Sequence, residues 1–227
     1  MNNAIDHSSG SRVEIVVKRT VTSAEIMIKD DGYGIFRKIK DSLSLEDDRH
    51  AVFELSKGKL TTDPDNHTGE GIFFTSRMFD RFSILSGSVA FQHWAADEDY
   101  WILENTKNVA GTAIFLTLSN HTSRTPRQIF DAFSDDDYAF SKTVVPVDLA
   151  RYGDDALISR SQARRVMARL DRFSTVLLNF KNVEQVGQGF ADEIFRVFAR
   201  THPDINLVPI NVNQQVISMI KRANPGI

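Results

Sequence analysis

The rhythm of apolar residues changes once along this chain, and the change divides it in two. Before residues 119–127 (SNHTSRTPR), stretches with a period of two dominate; after them, short apolar runs alternate with stretches of helical spacing. The polar segment carries one proline and reads as a linker, so a domain boundary is expected between residues 122 and 123. The chain has 227 residues, and two domains of about 120 and 100 residues suit that length.

In the first half, RVEIVVKR (12–19) and AEIMIKD (24–30) alternate apolar and polar residues around Thr20–Ser23, which predicts an antiparallel pair of strands. From Gly34 to Gly58 the spacing is helical: Ile35, Phe36 and Ile39, then Val52, Phe53 and Leu55, with an acidic break at Glu46–Asp48. Residues 57–71 (KGKLTTDPDNHTGEG) have no period and predict a long loop of the kind that is functional or mobile. A helix follows from Gly71, with Ile72, Phe73, Met78 and Phe79 on its apolar side. Strands are expected at 82–87, 88–94 and 99–104 and, after a Val109–Gly111 turn, at 112–118. Strands and helices in this order predict an α+β sandwich.

The second half predicts a short helix at 127–133 and a strand at 140–147. Ser159 or Ser161 is placed to cap a helix bearing Val166, Met167, Leu170 and Phe173. A buried strand (174–180), a helix (188–200), a strand (205–210) and a last helix (213–222) complete a small α/β domain.

The bulk numbers exclude several classes. There is no cysteine, so disulfides, thiolate nucleophiles and cysteine-ligated metals are out. A net charge of −3 gives no reason to expect nucleic acid or an anionic membrane as a partner. No run approaches a membrane span, and MNNAIDHSSG has neither the basic start nor the apolar core of a signal peptide. A cytoplasmic location is expected.

Four short stretches then stand in order: NAIDH (3–7), DDGYG (30–34) behind the second strand, GEGIF (69–73) between loop and helix, and GTAIFLTL (111–118) opening a strand. Over residues 1–119 this set resembles the GHKL ATP-binding superfamily, the Bergerat fold of histidine kinases, gyrase B subunits and anti-sigma-factor serine kinases. The resemblance implies a Bergerat-type ATP-binding α/β sandwich with ATP and Mg²⁺ as cofactors. Asn3 then offers an amide oxygen to Mg²⁺ beside the phosphates, and Asp30 accepts from the adenine amine. Gly32 and Gly34 let backbone lie against the base, Gly69 and Gly71 open a helix start to phosphate, and Thr112 joins the adenine-side hydrogen bonds. Lys57, with Lys59 and His67, lies in the loop that closes over the phosphates. Each residue also has an ordinary use: turn capping for Asp30, turn geometry for the glycines, strand propensity for Thr112, solvation for the lysines.

In the resembling kinases a glutamate four residues before the asparagine acts as general base. This sequence begins two residues before Asn3, so the expectation is an N-terminally incomplete domain that binds adenine nucleotide, with no catalytic residue assigned. Residues 159–222 resemble the STAS-like domains joined to GHKL modules in bacterial proteins. In STAS antagonists a serine in the strand-to-helix turn is phosphorylated; here Gly187 stands at that place. Arg160, Arg164, Arg165 and Arg169 recur at roughly helical spacing, as a phosphate or acidic-partner site or as a solvated face, with Asp192 and Glu193 as a salt-bridge complement or plain surface. The expected function is a bacterial ATP-binding regulatory or signalling protein related to the serine kinases, with a regulatory protein partner and a homodimer as the oligomer to test. The alternative is a non-enzymatic interaction or transcription-regulatory protein with a degenerate nucleotide site.

Overall fold

The computed structural model describes residues 2–62, 67–96, 99–151 and 156–224, so part of the expected loop at 57–71 lies outside the described residues. The fold is mixed α/β and forms two compact units, Met1–Ile129 and Phe130–Ile227. The division falls inside a helix, Pro126–Phe133, rather than in the polar stretch ahead of it. Among the described residues no helix is long and apolar enough to cross a membrane.

Unit 1 starts with a short helix α1 (Asn2–Asp6) and the hairpin β1 (Val13–Arg19) and β2 (Ser23–Asp30). Helices α2 (Ile35–Leu43), α3 (Asp48–Ser56) and α4 (Gly71–Met78) follow, then β3 (Arg81–Trp94) and β4 (Asp99–Ser119). The acidic break separates α2 from α3 because Asp47 caps α3, accepting from His50 N–H at 2.8 Å. The antiparallel sheet runs β1-β2-β4-β3. Phe36, Phe53, Phe73, Phe82 and Ile84 fill the core between the helices and one sheet face.

The four strands expected between 82 and 118 are two. In a straight strand residues nine apart stand about 30 Å apart, yet the Phe82 and Phe91 rings are 6.2 Å apart. Ala95 N–H also donates to Asp80 O at 3.1 Å. β3 therefore doubles back where its register slips between Ser86 and Val89, and β4 follows it round, with no separate turn at Val109–Gly111. Gly87 and Gly111, both at positive φ, absorb the bend.

In unit 2 a helix α5 (Pro126–Phe133) leads in from unit 1 to the parallel sheet β5 (Lys142–Pro146), β6 (Thr175–Asn179) and β7 (Asn206–Ile210), with β6 central. Between β5 and β6 stands α6 (Arg160–Met167), started by a capping box in which Ser159 and Gln162 exchange hydrogen bonds. It ends earlier than its apolar spacing predicts: Arg169 turns left-handed, and Leu170 and Phe173 reach the core from a 3-10 turn and its cap instead. The helix after β6 is α7 (Gln188–Asp192), a π-helical stretch (Glu193–Phe198) and α8 (Ala199–Thr201); the last is α9 (Gln214–Ala223), capped by Asn213. Val176, Leu178, Phe190, Ile194 and Val216 are wholly buried among these elements.

Candidate functional site

Unit 1 contains a cavity of about 470 Å³, within the size range of small-molecule sites. Asn3 on α1, Asp30 at the end of β2, Gly34 at the start of α2, Gly69 and Gly71 at the start of α4, and Thr112 on β4 all line it. Its inner wall is apolar, from Ile28, Ile39, Leu55, Phe82 and Ile114; its other side is polar, from Thr61, Thr62, His67 and Thr68.

Asp30 is only 5% exposed. Its Oδ1 accepts from Gly32 N–H at 3.0 Å and Thr112 N–H at 3.2 Å, which fixes the carboxylate plane. Its Oδ2 takes no hydrogen bond from the described residues. A carboxylate oxygen open on a cavity is an acceptor available to a bound donor group. Thr112 is also engaged: its Oγ1 accepts from Ile35 N–H at 3.0 Å, which ties β4 to the first turn of α2. Gly34, at φ 93°, supplies the left-handed residue that lets β2 turn into α2.

The start of α4 also lines the cavity. Its N-cap, Glu70, makes no side-chain cap. The first N–H groups of a helix lack partners within it and carry the positive end of its dipole. A Cβ on Gly71 would meet nothing within 4 Å, so this turn opens onto free space. Gly69 has a different job. At φ 74° it brings the chain against Leu60, where a Cβ would stand 2.5 Å from the Leu60 carbonyl carbon.

Three of the expected site residues, Gly32, Lys57 and Lys59, are not among those that line the cavity. Gly32 is pressed against Ser8, whose carbonyl oxygen would be 2.1 Å from a Cβ, so its close approach is to protein and it does not line the cavity. Lys57 is buried at the end of α3, with Nζ 2.6 Å from Glu54 Oε1 and 4.5 Å from the Phe53 ring centre. The cation that does line the cavity is Lys38, held by a 2.8 Å bond from Nζ to His7 O. Its helical spacing from Ile35 was the signal for it. His67 lines the cavity too, with its ring 4.5 Å from that of His7 and Nε2 3.6 Å from Asp6.

Among the described residues no group of three or more histidines and carboxylates is placed to hold a metal. Asn3, the residue expected to offer an amide oxygen to Mg²⁺, lines the cavity.

In unit 2 two of the four arginines, Arg160 and Arg164, meet the expected complement. Arg160 Nη2 lies 2.9 Å from Asp192 Oδ2, Arg164 Nε lies 2.6 Å from Glu193 Oε1, and Arg196 also pairs with Asp192. The hydrogen bond from Arg196, then its charge and that of Arg160, hold the Asp192 carboxyl below its usual range. Gly187 caps α7 with no room for a side chain, since a Cβ would stand 2.7 Å from Ile158 Cα.

Residues 162–216 match the model of a STAS-like domain of unknown function, DUF4325. Unit 2 therefore contains a STAS-like domain. No curated protein matches the chain. Among solved structures, the N-terminal domain of a DNA repair protein is similar at 16% identity and a TM-score of 0.32, over 58% of this chain and 38% of that one. A likeness of that size carries no conclusion about unit 1.

Proposed function

We propose that unit 1 binds an adenine nucleotide with Mg²⁺ in a GHKL-type site, and that the chain is an ATP-binding regulatory protein whose STAS-like unit acts as partner or sensor. The reading rests above all on Asp30. Its Oδ1 is held by two backbone donors and its Oδ2 is left open on the cavity, which suits the exocyclic amine of adenine and repels the carbonyl of guanine. The apolar wall fits a flat base. The start of α4, with Gly71 clear, suits phosphate oxygens. Asn3 stands on the same cavity with a hard oxygen for Mg²⁺, and Lys38 adds a positive charge there.

Calorimetry with ATP and Mg²⁺ tests this. The protein is expected to bind ATP in preference to GTP. Asp30→Asn is expected to weaken ATP about 10- to 100-fold, the loss of one hydrogen bond to a charged group, while circular dichroism stays unchanged. Equal affinity of the variant and the parent, or no ATP binding by the parent, would remove the nucleotide reading.

A further inference from the structure

The edge strand β1 exposes Val13, Ile15, Val16 and Val17 beside the charged Glu14, Lys18 and Arg19, and has neither the proline nor the bulge that commonly blunts an edge. Every residue of Val13–Arg19 is exposed, with Ile15 at 46%, Val16 at 44% and Val17 at 69%. One edge pairs with β2 and the other has no strand beside it among the described residues. Val13, Ile15 and Val17 continue the rows of Ile28 and Ile26 on the helix-side face, and Val16 continues the row of Met27 and Phe115 on the outer face.

The hydrogen bonds that close the hairpin fix which groups the free edge offers. Thr20 N–H donates to Ser23 O and Asp31 N–H to Arg12 O, so the even-numbered residues of β1 bond to β2. Residues 13, 15, 17 and 19 turn their N–H and C=O outward. An antiparallel copy of β1 therefore pairs odd residues with odd. One such register is complementary in charge. Centred on Val16, it sets Ile15 against Val17 and Glu14 against Lys18. Lys18 already lies 3.8 Å from Glu25 across the hairpin, and Glu14 stands opposite Lys29. The outer face of the joined sheet then reads Glu25, Lys18, Glu14, Lys29 from one copy to the next, alternating in sign. Moving the centre to Ile15 would oppose Arg12 to Lys18, and moving it to Val17 leaves Glu14 without a basic partner.

We propose that β1 is the contact edge of a homodimer, pairing with the β1 of a second copy about a two-fold axis through Val16. The sheets of two first units then run on as one. This inference is independent of what the cavity binds.

The chain has no cysteine, so Val16→Cys places a single thiol on the axis. In that non-hydrogen-bonded pair the Cα atoms are about 4.5 Å apart, within disulfide reach. Oxidation is expected to convert V16C almost wholly to a covalent dimer. V21C, in the exposed turn with its two copies roughly 30 Å apart in this register, is expected to stay uncoupled. Sedimentation over a concentration series should show a wild-type dimer and, for the folded Val16→Lys protein, a monomer. A wild-type monomer at every concentration, or V16C coupling no faster than V21C, overturns the proposal whether or not Val16→Lys folds.

Discussion

Gly69-Glu70-Gly71 and Gly187-Gln188-Gly189 look alike in the sequence, and both open helices, α4 in unit 1 and α7 in unit 2. The first glycine of each pair has the same use: it lets backbone pass close to another segment, Leu60 for Gly69 and Ile158 for Gly187. The second glycines differ. Gly71 faces empty space, whereas Gly189 lies under Ile158 O and the Arg160 side chain, at 3.2 and 3.6 Å from a Cβ. One helix start is free to take a ligand and the other is closed by its own chain. A glycine pair before a helix thus marks a close approach, and only the surroundings decide whether the approaching group is protein.

The two units also differ in how they hold a buried titratable group, and this gives the largest expected contrast. In unit 1, burial pushes His93 down to about 3, helped by the Arg77 and Arg124 charges and opposed by its bond to Ser76 O and by Asp99. In unit 2, burial pushes Asp148 up to about 6 against the Arg151 charge and the Asn182 hydrogen bond. Below pH 6.5 the unfolded chain takes up a proton on His93 that the folded unit refuses, so unit 1 loses stability as pH falls from 6.5 toward 3. Between pH 3.8 and 6 the folded unit 2 holds a proton on Asp148 that the unfolded chain has lost. That contribution is full below 3.8 and is lost as pH rises through 6. Each slope approaches about 1.4 kcal/mol per pH unit, opposite in sign. Both tryptophans, Trp94 and Trp101, lie in unit 1, so urea unfolding followed by their fluorescence reports that unit, and amide exchange of α7 reports the other. Substituting His93→Gln and Asp148→Asn should flatten the slope of each unit separately. Two unchanged slopes would break the contrast.

The middle effect concerns the closed turn. Gly187→Ser puts a side chain on that turn, where its Cβ has no room beside Ile158. It is expected to cost unit 2 about 1–3 kcal/mol, as overpacking does, measured by urea unfolding followed through amide exchange. A neutral Gly187→Ser would show that the turn can give way and that the absence of a side chain there is not enforced by packing.

What the sequence made legible follows from these contacts. Period-two spacing located the β1–β2 hairpin, and a capping serine located the start of α6, because both signals are local. The bend of β3 was not local: Phe82 and Phe91 read as belonging to separate strands, and only the shared core shows one chain folded back. Lys57 reads as a loop cation because residues 57–71 are polar and have no period. Its partner Glu54 stands three residues earlier on the same helix, a spacing that predicts contact once the helix is known to reach Ser56. Gly32 shows the limit most plainly. Its spacing from Gly34 announced a close approach, and nothing in the spacing told a base from the Ser8 carbonyl.

The smallest effect on stability is the sharpest test of the comparison. Gly71→Ala replaces a helical glycine by the best helix former with no clash in the folded protein. Gly71 is the first residue of α4, so the gain to unit 1 is expected to stay below the ~1 kcal/mol of an interior glycine, read as a slightly higher urea midpoint. Gly71 lines the cavity, so a methyl group there crowds a phosphate bound at the start of α4, and ATP affinity is expected to fall although the protein becomes more stable. Stability and binding then move in opposite directions, which a purely structural glycine cannot do. If Gly71→Ala gains stability and loses no affinity, the start of α4 is not where phosphate sits. The nucleotide, if bound, then takes its charge contacts from Lys38 and His67 across the cavity.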